Sequence, residues 1–148
     1  MQLKPRIRRI SMKHWALSLI LVLILAAPVS SQSRKKYDHF HLELNKSGKA
    51  VALVFREGDN VGCSGITSAN GRIISVDWDI VVKKFTIRFN TGTFSVFVPD
   101  NLNEIDNASR GLLSDIFREG NRVRMTWREC GSGNIPDLIS LKILRQSH

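Results

Sequence analysis

The stretch 71-GRIISVDWDIVVKKFTIRFNTGTFSVFV-98 decides the fold. Arg72 to Trp78 puts Ile74, Val76 and Trp78 on one side of an extended chain. Lys84 to Phe89 puts Phe85, Ile87 and Phe89 on one side and Lys84, Thr86 and Arg88 on the other. Asn90-Thr91-Gly92 is a turn signal, and Thr93 to Val98 alternates again until Pro99. Strict alternation bounded by Gly, Asn and Pro predicts half-buried antiparallel strands, here a three-stranded meander. The expected core is Val76, Trp78, Phe85, Ile87, Phe94 and Val96, joined from downstream by Val123, Met125, Trp127, Ile139 and Leu141.

Working outward, Asp38 to Leu44 alternates Phe40, Leu42 and Leu44 against His39, His41 and Glu43. A turn at Asn45 to Gly48 and an apolar run from Ala50 to Phe55 make this a β-hairpin. Downstream of Pro99, Leu112, Leu113, Ile116 and Phe117 line one face of a short helix. Asn107 or Ser109 can cap its start and Gly120 can end it. Arg122 to Arg128 alternates once more, with Val123, Met125 and Trp127 on one side and Arg122, Arg124, Thr126 and Arg128 on the other. Leu138 to Leu144 is a last, strongly apolar strand.

From Gly71 the order is strand, strand, strand, helix, strand, strand. Together with Gly120-Asn121-Arg122-Val123-Arg124-Met125 at the start of the fourth strand, that order resembles the OB-fold over Gly71 to Leu144. The resemblance implies a mainly β domain: an OB-like five-stranded barrel with one short helix, preceded by the extra hairpin. The runner-up is a β-sandwich of the same strands.

The chain has 148 residues, 22 of them basic and 13 acidic, for a formal charge of +9. Residues 1–31 account for much of that excess. Lys4, Arg6, Arg8, Arg9 and Lys13 precede an apolar run from Trp15 to Ala27, followed by Pro28-Val29-Ser30-Ser31. The run is shorter than the roughly 20 residues that span a bilayer comfortably, so a secretory signal peptide is expected, or else an uncleaved N-terminal membrane anchor. Either places the domain in an extracytoplasmic setting, secreted or periplasmic. Five of the 22 basic residues and none of the 13 acidic ones lie there, which leaves 17 against 13 and a net +4. A balance so modest removes most of the case for nucleic acid as a partner. Residues 32–37 are read as a disordered lead-in and 38–148 as a single β-rich domain.

The two cysteines, Cys63 and Cys130, each sit among Gly and Ser, and in an oxidising compartment they are expected to form a disulfide. His39, His41 and Glu43 share a strand face at about 7 Å intervals, which is a candidate set of metal ligands and the basis of an alternative structural or metal-binding role. Arg122, Arg124 and Arg128, joined by Lys84 and Arg88 if the face is shared, form a candidate surface for a partner protein or anionic ligand. Asp77 and Asp79 flank Trp78 with no nucleophile or histidine placed beside them. Ser64 and Ser132 lie beside glycine without a strand–elbow–helix setting, and no phosphate loop or dinucleotide fingerprint occurs. The expectation is therefore a non-enzymatic binding module of the envelope or extracellular space, with no cofactor.

Overall fold

The computed structural model describes residues 33–56, 62–133 and 135–144. The expected signal segment lies outside them. The strands are β1 (Ser33–Lys36), β2 (Phe40–Leu44), β3 (Ala50–Phe55), β4 (Thr67–Trp78), β5 (Val82–Phe89), β6 (Gly92–Phe97), β7 (Arg122–Cys130) and β8 (Ile135–Ile143). A 3-10 turn at Asp100–Glu104 and the helix α1 (Asn107–Ile116) connect β6 to β7.

The strands form one eight-stranded antiparallel sheet in the order β1-β2-β3-β8-β7-β4-β5-β6. The expected closed five-stranded barrel and its sandwich alternative are both replaced by this open sheet. Closing a barrel would need β6 to pair with β8, but the end of β6 and the start of β8 face each other across a cleft without a ladder. Further along, β8 pairs with β3, with Ala52, Leu53 and Val54 opposite Lys142, Leu141 and Ser140. The hairpin is thus part of the sheet, and β6 is left as an edge strand.

Residues Ser33–Lys36, expected to be a lead-in, form β1 along β2. Their sequence does not alternate, but their placement is secured by contacts to α1. The Lys35 ammonium donates to Ser109 Oγ at 2.7 Å, and the Tyr37 hydroxyl donates to Asp106 Oδ2 at 2.7 Å.

One side of the sheet carries the core. Phe40, Leu42, Leu53, Ile73, Phe85, Ile87, Val96, Val123, Met125 and Leu141 are buried there with Leu113 and Ile116 of α1. The Phe85 ring lies 5.4 Å from that of Phe117, just past the helix. Burying this apolar area is the main favourable term in folding.

The β4 face differs from the expected one. Ile73 pairs with Ile87 and Ser75 with Thr86, so Ile74 is an extra, bulged residue. A bulge reverses the parity of a strand. Ile73 is therefore inward before it and Val76, opposite Phe85, inward after it. A second irregularity at Asp77/Trp78 leaves Trp78 44% exposed at the strand end. Phe94 shares the inner side with Ile87, yet is 49% exposed because β6 is an edge. Trp127 and Ile139 are only half-buried, and Trp127 stacks on Phe89 at 5.5 Å.

The helix is capped differently as well. Asp106 is its N-cap, accepting from the Ser109 backbone N–H at 2.8 Å. At the other end the Asn121 side-chain amide donates to the carbonyls of Asp115 and Ile116. Gly120, at φ +90°, belongs to the connection beyond, where its N–H donates to Ile73. Cys63 and Cys130 are bonded and sit opposite each other in an isolated bridge, tying the β3–β4 connection to the end of β7 across 67 residues.

Candidate functional site

Because Val123 and Met125 point into the core, Arg122 and Arg124 point out. Their neighbours come from the register. Arg122 lies directly opposite Arg72 of β4, and Arg72 lies directly opposite Arg88 of β5. Arg72 is the residue at which β4 passes from pairing with β7 to pairing with β5. The adjacent Gly71 faces inward, where a Cβ would meet Ile87 Cγ1 and Phe89 Cδ1 at 2.8 Å. Only glycine lets the strands approach this closely behind the arginines.

Adjacent strands lie 4.7–4.9 Å apart, so the row Arg122–Arg72–Arg88 spans about 10 Å between its outer backbones. A second row, Lys142–Arg124–Asn70, runs beside it one pleat repeat away, about 7 Å along the strands. All five cations are exposed. Among the described residues, none of the five is paired with a carboxylate. Like charges directly opposite each other destabilise a sheet; the arginine row contains two such pairs and the second row one, Arg124 opposite Lys142.

Hydroxyl rows flank the cations. Ser75, Thr86 and Ser95 face one another across β4, β5 and β6. Ser140, Thr126 and Ser68 do so across β8, β7 and β4, with Ser68 Oγ and Thr126 Oγ1 2.9 Å apart. Thr93 of β6 lies opposite Arg88 and extends the arginine row.

The other two sequence-derived cations lie away from these rows in opposite directions along β4, Arg128 beyond its start and Lys84 near its end. Arg128 is opposite Asp137 of β8, and its Nε donates to Oδ2 at 2.8 Å from a side chain only 9% exposed. Lys84 sits between Asp77 and Phe97, with its ammonium 6.0 Å from the Phe97 ring centroid. The structure therefore brings Arg88, Arg122 and Arg124 together, leaves Arg128 and Lys84 apart, and adds Arg72 and Lys142. Arg72 escapes a reading by alternation because the Ile74 bulge lies between it and the rest of the strand. Lys142 is visible in sequence as the polar residue between Leu141 and Ile143.

The histidine set does not assemble. His39 precedes β2 and its Nε2 lies 3.2 Å from Glu104 Oε1. His41 and Glu43 face outward together, and Glu43 lies 3.7 Å from Arg34 and 4.0 Å from His41. Partial burial, then the nearby Arg34, holds His41 below its ordinary value and favours the neutral ring. Among the described residues no group of three or more His, Cys, Asp or Glu converges on a metal position.

A cleft of about 1270 Å³ opens between the end of β6 and the start of β8. Its walls include the exposed Ile80, Phe97 and Ile135, the disulfide, and Arg110. The Arg110 Nε is buried with no hydrogen-bond partner among the described residues. Both carboxylates and cations line it, with Asp79–Lys83 and Arg128–Asp137 paired.

No protein-family model matches the chain, and comparison with curated proteins and with solved structures finds no match.

Proposed function

We propose that the chain is an exported, non-enzymatic binding module of the cell envelope or extracellular space. It holds an anionic ligand or the acidic surface of a partner protein on the face made by Arg72, Arg88, Arg122, Arg124 and Lys142. One observation carries this reading: three arginines stand directly opposite one another on adjacent strands with no carboxylate partner among the described residues. That arrangement opposes sheet stability, and a local rule broken without compensation is characteristic of a functional surface. Guanidinium groups stay charged and offer forked donors, so an anionic ligand supplies the missing compensation.

Export is supported by the basic and apolar segments at the N-terminus and by the Cys63–Cys130 disulfide, which fits an oxidising compartment. The described residues contain no helix long and apolar enough to cross a membrane. N-terminal sequencing of secreted material should begin near Gln32; soluble full-length protein in the cytoplasm would end this part of the proposal. The finer architecture supports a binding role too. We read β4 to β8 as an OB-like unit with its seam left open, since β4 pairs with both β5 and β7 while β6 comes close to β8 without pairing.

The test uses the triple variant Arg88→Ser, Arg122→Ser, Arg124→Ser with a heparin-like polysaccharide and an acidic protein at two salt concentrations. Wild type should bind at least one of them, more weakly at higher salt, because exposed charges are screened over about 8–10 Å. The variant should fold and lose that binding. Equal binding by both folded proteins would sink the proposal.

A further inference from the structure

The Arg122–Arg72–Arg88 row places three guanidinium-bearing side chains on adjacent strands at one level of the sheet. Resting on the anion-binding role proposed above, we infer that the face takes a polysaccharide bearing sulfate or phosphate esters. One ester seats on the three-arginine row and the next on Arg124 and Lys142.

The chemistry of the acceptor decides between anions. A carboxylate is planar, and a single guanidinium can saturate its two oxygens in a fork. A tetrahedral ester presents several peripheral oxygens around an axis and accepts from two or three guanidinium groups at once. Arg72 has an arginine on each side, with opposed Cβ atoms about 5 Å apart, so the three side chains can converge on one such group. Clustered arginines are the usual receptors for phosphate-type groups, which carry three strong acceptor oxygens. Four of the five cations are arginine, the side chain that adds geometry to charge.

The surroundings decide between macromolecules. The second row lies about 7 Å from the first, which calls for a ligand with repeated anionic groups. The flanking rows are Ser75–Thr86–Ser95 and Ser140–Thr126–Ser68, whose hydroxyls donate and accept in the same way as sugar hydroxyls. These rows hold no aromatic ring, so they lack the stacking platform that single-stranded nucleic acid uses. They also hold no large apolar side chain of the kind that inserts at a bilayer interface.

The test measures binding of the full chain to dextran sulfate, dextran phosphate, polyglutamate of matched charge, an oligo-dT strand and phosphatidylglycerol vesicles. Wild type and Arg72→Lys are compared, with circular dichroism confirming the fold. Dextran sulfate or dextran phosphate should bind at least about tenfold more tightly than polyglutamate, and the two esters separate sulfate from phosphate. Arg72→Lys keeps the charge and removes the fork, so it should weaken ester binding by about tenfold, equivalent to one charge-assisted hydrogen bond, while leaving the salt dependence nearly unchanged. Equal affinity for polyglutamate, or an unaffected Arg72→Lys variant, would overturn the inference and leave the basic face as a non-selective anion binder. Preference for the oligonucleotide or for vesicles would overturn it in favour of that ligand. Failure of wild type to bind any of these probes would remove the anion-binding face itself.

Discussion

The two ends of β7 carry the same residue on the same side of the strand and give it different roles. At the start, Arg122 and Arg124 are exposed and stand among Arg72, Arg88 and Lys142. At the end, Arg128 is buried and bonded to Asp137. Alternation puts all three on one face, but the residue on the neighbouring strand decides what each does. Opposite a carboxylate, arginine becomes part of the structure. Opposite another arginine, it stays exposed with no carboxylate partner among the described residues.

The largest effect should come from the side of β7 common to both ends. Met125 is buried on the side of the strand opposite Arg122 and Arg124, and Met125→Ala should cost about 2–5 kcal/mol in denaturant unfolding. A negligible cost would mean that the strand's faces are inverted, and the comparison would lose its basis. Asp137→Ala should cost about 2–3 kcal/mol, because it deprives a mostly buried guanidinium of a charged partner, tempered by the partial exposure of Asp137. A change below about 0.5 kcal/mol would make the two ends energetically alike.

Acid should probe a further structural carboxylate, at the far edge from the basic rows. Hydrogen bonds from the Tyr37 hydroxyl and then from Ser109 hold Asp106 down to about 2. A carboxylate whose folded value is depressed stabilises above its ordinary value near 3.8 and loses that contribution as pH falls toward about 2. The melting temperature should therefore drop across that window, and Asp106→Asn should reduce the drop. An identical acid profile in the variant would refute the assignment. The smallest effect is also the most pointed. Arg72→Gln removes two like-charge oppositions and should leave stability unchanged or raise it by up to about 1 kcal/mol. A clear loss of stability would mean that Arg72 has a structural role like that of Arg128.

These contrasts also explain what could be read from sequence. The β5 and β7 alternations, the β2–β3 hairpin and the disulfide were legible because each depends on local pattern or on a pair of cysteines with no competitor. The β4 face was not, since one bulged residue, Ile74, exchanges inside for outside and carries no distinguishing chemistry of its own. Strand β1 escaped because Ser33–Lys36 lies fully exposed at an edge and is held by contacts to Ser109 and Asp106, more than 60 residues away. The eight-strand order follows from β3 lying along β8, a pairing that no local pattern encodes. Of the basic face, the outward direction of Arg88, Arg122 and Arg124 was visible. Their assembly around Arg72, and the removal of Arg128 by Asp137, depend on cross-strand register.

The central claim is that the unpaired arginines at the start of β7 bind an anion and that the paired one at its end does not. Arginine side-chain NMR, following the Nε–Hε resonances during titration with dextran sulfate, tests it directly. Arg72, Arg88, Arg122 and Arg124 should shift together and saturate together while Arg128 stays in place. Shifts centred on Arg128 or Arg110, with the four unmoved, would contradict the account and move the binding site to the cleft.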